Sequence, residues 1–134
     1  MYKRQEDDWL AVVREGHPRA GSLDLDAIVE LPHVMHSVFG GTRAELDRIL
    51  DAQGKKRRVA VTAPNFHAMW RTVCSTDMVA MLPRRFAQGL PGIHAVPHPA
   101  ELAPIRLCLW WHKPAMTNPR LDWFRGLVLD TMRT

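Results

Sequence analysis

Residues 57–74 read RRVAVTAPNFHAMWRTVC, and this stretch decides the fold class. Its first part predicts a short strand over residues 57–62, with Val59 and Val61 on one face. Pro64-Asn65 then opens a helix. The helix has apolar side chains at i, i+3, i+4, i+7 and i+8, namely Phe66, Met69, Trp70, Val73 and Cys74. The stretch is therefore a strand–turn–helix unit whose helix packs on a sheet.

Similar units lie upstream of this stretch. Strands are predicted over residues 9–13 and 33–37, with a helix over 24–30 that Ser22 caps and Pro32 closes. Thr42-Arg43-Ala44-Glu45 matches a capping box, in which the hydroxyl and the carboxylate each satisfy a free backbone N–H. Gly54 ends the helix that follows.

Downstream, strands are predicted over residues 78–82, 93–96 and 105–112. A short helix runs from Pro83 to Gly89, and Asn118-Pro119 begins a last helix that ends near Met132. This alternation of short strands and amphipathic helices is typical of an α/β fold with a largely parallel sheet.

The composition fits one globular domain. The chain has 134 residues, of which 46% are hydrophobic and 24% charged, so it can bury a core. No run of about 18 apolar residues occurs, which excludes a transmembrane helix. The segment Met1 to Asp8 lacks the apolar core of a secretory signal, so a cytoplasmic protein is expected.

The net charge of +4 invites a nucleic-acid interpretation, but the distribution of charge argues against it. The densest run is Lys55-Lys56-Arg57-Arg58, at a predicted helix–strand junction, where a solvated corner is expected. No aromatic platform or recognition helix adjoins it. Cys74 and Cys108 lie within apolar patterns and are expected to be reduced, buried thiols.

The sequence carries no motif for metal or cofactor binding. His33 and His36 are three apart on a predicted strand and point to opposite faces. His94 and His98 are separated by Pro97, and no paired-cysteine or HExxH spacing appears. No P-loop, G-x-G-x-x-G or nucleophile elbow is present, so no cofactor and no catalytic residue is predicted.

Geometry still points to a binding site. In open α/β sheets, ligands bind beyond the carboxyl ends of strands, and two such corners lie at residues 37–41 and 62–66. The second offers the Asn65 amide and the Phe66 ring on a proline-stiffened turn, which suits a small, partly aromatic ligand. The equally supported alternative is that Asn65 serves only as a helix cap and Phe66 serves only in core packing. Gly40-Gly41, before the Thr42 helix, either binds an anion or simply permits the turn.

The order of elements resembles the C-terminal effector-binding domain of LysR-type transcriptional regulators. Within that family, several segments are similar to the branch of nodulation and naphthalene-degradation regulators. They are LPHV (31–34), RVAVTAPNF (58–66), DMVAMLPRR (77–85), VPHP (96–99) and LWWHK (109–113). Their order and spacing extend over most of the chain.

The resemblance implies a periplasmic-binding-protein-like (type II) fold, in which crossover strands join two α/β subdomains. Residues 1–134 would form part of such a domain: 17–104 the second subdomain, 9–14 and 105–112 the crossover strands, and 119–132 the C-terminal helix of the otherwise absent first subdomain. That helix would leave Leu121, Phe124 and Val128 without their usual cover, which predicts self-association.

The resemblance also implies which residues bind ligand. The turn Pro64-Asn65-Phe66 would face the effector, with Ser37 at the neighbouring strand end. His33 would either occupy a second position facing the cleft or be buried within the sheet. Similar proteins in the branch often carry histidine where Asn65 stands. An amide donates a hydrogen bond but cannot carry the charge that attracts a carboxylate, which argues against an aromatic-acid effector.

The implied function is a ligand-sensing module that binds a small aromatic or carboxylated effector and thereby controls DNA binding. Its expected partners are copies of itself, as a dimer or tetramer, and DNA only through a winged helix-turn-helix absent from this chain; no membrane partner is expected. The alternative is a small α/β enzyme that uses His33 or His36 as a base, although no nucleophile or acid–base pair accompanies them.

Overall fold

The computed structural model describes residues 2–37, 44–112 and 117–132. The chain divides into two compact units. The larger unit is Asp8–Pro104, and the smaller unit combines Met1–Asp7 with Ile105–Thr134. Each unit contains its own sheet.

The larger unit is built on a five-stranded sheet. The first strand of the chain, β1 (Tyr2–Asp7), belongs to the smaller unit. The strands of the larger unit in chain order are β2 (Trp9–Arg14), β3 (Pro32–His36), β4 (Arg58–Ala63), β5 (Val79–Pro83) and β6 (Ile93–Pro97). The spatial order is β4-β3-β5-β2-β6. The helices of this unit are α1 (Leu25–Glu30), α2 (Glu45–Ala52), α3 (Phe66–Cys74) and α4 (Arg84–Ala87).

The sheet is mixed, whereas the sequence predicted a largely parallel one. β3 is parallel to both β4 and β5, but β2 is antiparallel to both β5 and β6. Crossover helices join β3, β4 and β5 in sequence, and such connections produce parallel strands. The alternation of strands and helices contains no signal for the direction of β2, which enters the sheet first.

Helix starts follow local capping chemistry. Asn65 caps α3 as predicted, with its Oδ1 accepting the Ala68 N–H at 2.8 Å. Asp24 Oδ1 accepts the Ala27 N–H at 2.8 Å and caps α1, so the prediction of Ser22 was wrong. Ser22 stands too far upstream to reach the first-turn N–H groups.

The start of α2 also differs from the predicted capping box. Ala44 occupies the cap position, and its N–H donates to Asp47 Oδ2 at 3.2 Å. Glu45 is therefore the first helical residue and is free to point elsewhere. Thr42 and the Gly40-Gly41 pair lie outside the described residues.

The core of the larger unit follows from the alternation of β2. Leu10 and Val12 join one cluster with Met69 and Val73 of α3. Ala11 and Val13 lie in a second cluster with Leu23 and Ile28. Because successive strand residues point to opposite faces, one strand serves both clusters. A third cluster joins Leu46 and Leu50 of α2 to Ala100.

The smaller unit contains β1 paired antiparallel with β7 (Ile105–Leu109), and α5 (Pro119–Thr131). The sequence analysis missed β1 because its residues, YKRQED, show no apolar alternation. Trp9–Arg14 pairs with β5 and β6 within the sheet of the larger unit, and its role as a crossover strand stays a prediction. None of the described helices is long and apolar enough to cross a membrane.

Candidate functional site

A cavity of about 170 Å³ opens in the larger unit. Its walls come from the start of β2, the end of β3, the middle of β5 and the first turns of α2 and α3. The lining residues that carry the argument below are Trp9, Met35, His36, Glu45, Arg57 and Phe66. His36 ends β3 and Phe66 follows β4, so the cavity lies where an α/β sheet usually binds ligands.

The wall of the cavity is mainly aromatic and thioether. The centroid of the Phe66 ring lies 6.5 Å from that of Trp9 in an edge-on arrangement and 5.0 Å from that of His36. The side chains of Met35, Met69 and Met81 complete the wall. Aromatic rings and polarizable thioethers suit a flat, largely apolar ligand.

Arg57 is the basic residue that lines the cavity, and its side chain is only 3% exposed. Its Nε donates to Asp47 Oδ1 at 2.6 Å and its Nη2 to Asp47 Oδ2 at 3.0 Å. The hydrogen bonds from Arg57 are the main reason why the pKa of Asp47 lies below its ordinary value of 3.8. The pair is therefore a bidentate ion pair, which leaves little net positive charge for a ligand.

This finding corrects the expectation of a solvated corner at residues 55–58. Lys56 and Arg58 are exposed, but Arg57 is not. Its partner, Asp47, lies ten residues upstream on α2. No pattern within the basic run indicates this pairing.

His33 lies behind Arg57 and does not line the cavity. It is 1% exposed, its Nε2–H donates to the Ile28 carbonyl oxygen at 2.8 Å, and its Nδ1 lies 3.4 Å from Arg57 Nη1. Burial lowers the pKa of His33 to about 4, against the opposing effect of the Ile28 hydrogen bond. The ring is therefore neutral near pH 7, and its Nδ1 can accept from the Arg57 guanidinium.

His36 takes the opposite face of β3, as the spacing predicted. It is exposed and lines the cavity, and its Nε2–H donates to the Pro64 carbonyl oxygen at 3.1 Å. In the neutral ring, this assignment leaves Nδ1 as an acceptor. From the sequence, His36 was considered as a metal ligand or a base, and not as a residue that binds effector.

The predicted turn contributes to the site unequally. Phe66 lines the cavity, while Pro64 supplies its carbonyl oxygen to His36. Asn65 is exposed, and its side-chain oxygen caps α3. Ser37 follows β3 and donates its backbone N–H to the Ala63 carbonyl oxygen at 3.0 Å, with its side chain outside the lining set.

Another histidine, half-buried, lies near the connector after β6. His98 Nδ1 accepts the Ala100 N–H at 3.1 Å, and Nε2 has no hydrogen-bond partner within the described part of the chain. Burial lowers the pKa of His98 to about 4. It borders a separate cavity of about 280 Å³ that also includes Asp8 and Arg84.

The polar groups around the main cavity lie at the edge of a largely apolar lining. Among residues 2–37, 44–112 and 117–132, no three metal-binding side chains come together. Cys74 and Cys108 are half-buried, free thiols. The polar groups of the main cavity are held in hydrogen bonds or ion pairs around an apolar centre.

The chain matches the family described as the LysR substrate binding domain over residues 5–133. It belongs to this family. The match confirms the resemblance noted in the sequence and makes the chain a LysR-type effector-binding domain.

Among characterised proteins, the chain is similar to two regulators. It is 33% identical to the HTH-type transcriptional activator NagR of Ralstonia sp. over 126 residues, which cover 91% of this chain and 42% of NagR. It is 26% identical to the HTH-type transcriptional activator NahR of Pseudomonas putida, covering 93% and 43% of the two chains. The chain thus spans about two fifths of the length of these curated relatives.

Solved structures agree. The regulatory domain of MexT, a transcriptional activator of Pseudomonas aeruginosa, superposes with a TM-score of 0.81 at 26% identity, covering 94% of this chain and 64% of that one. A probable transcriptional regulator of the same organism gives 0.80 at 28% identity, covering 93% and 43%. The periplasmic-binding-protein-like fold is confirmed. Since the relatives are regulators and not enzymes, the alternative of an enzyme using His33 or His36 as a base has no support.

Proposed function

We propose that the larger unit binds a small effector in the cavity lined by Trp9, Phe66 and the three methionines. The observation that carries the proposal is the cavity itself: apolar, with few polar groups, at the carboxyl end of parallel strands in a domain of an effector-binding family. Phe66 supplies the central contact surface. Pro64 and Asn65 hold the turn, and His33 steadies Arg57 from behind.

The effector is a small aromatic or carboxylated compound. An apolar cavity of about 150 Å³ holds one benzene molecule, so the 170 Å³ found here accommodates a single ring. The effector-binding domain of QuiR, in complex with shikimate, shares the fold, with a TM-score of 0.70 at 16% identity. That complex supports a small cyclic ligand for a domain of this architecture.

Effector binding would act on DNA indirectly. A ligand that binds one arrangement of a dimer or tetramer more tightly than another shifts the population towards that arrangement. In the complete regulator, that shift would change how helix-turn-helix domains, of the kind named in the relatives, meet their DNA sites.

Substitution of Phe66 tests the proposal. Phe66→Ala removes the ring at the centre of the wall, and we expect it to weaken the binding of toluene, phenol or benzoate about tenfold in calorimetric titrations. Phe124→Ala, which removes a 57%-exposed ring in the smaller unit, is the matched control. Equal affinities for the wild type and both variants would contradict a site at Phe66.

A further inference from the structure

We infer that this wall receives the part of the effector that carries a hydrogen-bond donor, an O–H or N–H group on an aromatic ring, and not a carboxylate. The inference rests on the proposed function and specifies the ligand class at the same cavity. It follows from the charges and lone pairs of three side chains, Arg57, Glu45 and His36.

Arg57 does not serve as an anion receptor. Its Nε and Nη2 are bonded to Asp47, and its Nη1 lies 3.4 Å from His33 Nδ1. The Asp47 carboxylate cancels the guanidinium charge at hydrogen-bond distance. A carboxylate ligand would have to compete with Asp47 for the same fork of donors.

Glu45 makes the cavity unfavourable for an anion. It is the first residue of α2, lines the cavity, and is exposed. Within the described part of the chain, its Oε1 accepts a long contact, 3.4 Å, from the Ala103 N–H, which leaves lone pairs for a ligand. Glu45 and Asp47 also place two carboxylates in the first turn of α2, where the helix dipole would otherwise favour an external anion.

His36 adds a second acceptor beside Glu45. Its Nε2–H is committed to the Pro64 carbonyl oxygen, which leaves Nδ1 of the neutral ring to accept. Glu45 and His36 therefore offer two side-chain acceptors on the lining of the cavity, beside the indole N–H donor of Trp9. A ligand complementary to them presents a donor, with its ring against Phe66 and Trp9.

Three probes of similar size separate the possibilities: phenol has a donor, anisole has only an acceptor, and benzoate has a charge. We expect phenol to bind the wild-type chain about fivefold more tightly than anisole or benzoate at pH 7. Glu45→Gln should reduce this difference in affinity, because phenol should bind severalfold more weakly and benzoate severalfold more tightly. Glu15→Gln, an exposed carboxylate at the far end of β2, should change neither affinity.

The possible results separate the donor preference of the wall from the existence of an effector site. Benzoate binding more tightly than phenol, or Glu45→Gln matching Glu15→Gln, would overturn the donor inference and leave the effector site in place. If none of the three probes binds, the proposed effector cavity is wrong and the inference falls with it.

Discussion

Helices α3 and α5 begin with the same kind of cap but differ in how far their side chains are buried. Each is capped by an asparagine: Asn65 accepts from the Ala68 N–H, and Asn118 accepts from the Arg120 N–H at 3.0 Å. Yet Met69 and Val73 of α3 are almost completely buried, while α5 has no buried residue and Trp123 is 70% exposed. Helix formation is thus a local property of these sequences, whereas burial depends on a partner surface.

The same difference places the proposed binding site beside α3 and not beside α5. α3 packs on a sheet whose strands converge from distant parts of the chain, and that convergence creates a cavity with a fixed wall. α5 belongs to a smaller unit that leaves Trp110, Trp123 and Phe124 exposed. An exposed apolar face of this kind favours self-association, which remains a prediction of the sequence analysis.

The largest expected effect is on the free energy of unfolding, because α3 is packed in the core and α5 is not. Met69→Ala removes a side chain that is 2% exposed, and we expect a loss of about 3 kcal/mol in the free energy of unfolding, because a cavity forms in the core. Leu127→Ala on α5, where the leucine is 50% exposed, should change it by less than about 0.5 kcal/mol. Urea denaturation followed by circular dichroism measures both. Equal losses would show that α5 is as well packed as α3.

A smaller effect concerns pH and two histidines of the larger unit, His33 and His98. His33 and His98 have folded-state pKa values of about 4, well below the ordinary value of 6.5. Between these values the unfolded chain binds protons that the folded chain excludes, so stability is complete above pH 6.5 and falls as the pH is lowered. Each histidine should lower the free energy of unfolding by about 1.4 kcal/mol per pH unit in this range, or by about 2 kcal/mol at pH 5.

Urea midpoints between pH 7 and pH 5 test this expectation. The wild-type midpoint should fall as the pH is lowered, and His98→Asn should reduce the slope, because one of the two linked protons is removed. A midpoint that is independent of pH in the wild type would show that neither ring is excluded from protonation.

The smallest expected effect tests the shared capping chemistry directly. Asn65→Ala should lower the free energy of unfolding of the larger unit by about 1 kcal/mol, since α3 loses a bonded first-turn N–H. Asn118→Ala breaks the same bond at α5 but should leave the unfolding of the larger unit unchanged. Hydrogen exchange of the first-turn amides of both helices gives the comparison. If the first-turn amides of α3 lose no more protection from exchange than those of α5, then packing, and not the cap, stabilises the start of α3.

Much of the architecture could be predicted because it depends on local patterns. The α3 stripe, its Asn65 cap, the positive φ angle of Gly54 at 68° and the Asn118-Pro119 start of α5 all follow from residues close in sequence. β1 could not be predicted, because it is held by backbone pairing to β7 and not by apolar alternation. The antiparallel direction of β2 could not be predicted from the sequence either.

The site was only partly predictable for a related reason. Phe66 could be identified because a strand end and a helix start meet at one turn. Trp9, Met35 and Met81 lie on three different strands, and only the sheet order β3-β5-β2 brings them to one wall. The pairing of Arg57 with Asp47 likewise depends on tertiary packing, and it makes Arg57 the exception to the solvated corner expected at residues 55–58.

The central claim is that the cavity in the larger unit binds the effector, and methionine methyl NMR tests it most directly. Met35, Met69 and Met81 line the cavity, whereas Met78 packs on the same core outside it and Met132 lies in the smaller unit. Titration of the methyl-labelled chain with phenol should shift the first three methyl signals in a saturable manner and leave Met78 and Met132 unchanged. Saturable shifts at Met132 or Met78, with Met35, Met69 and Met81 unmoved, would contradict the account.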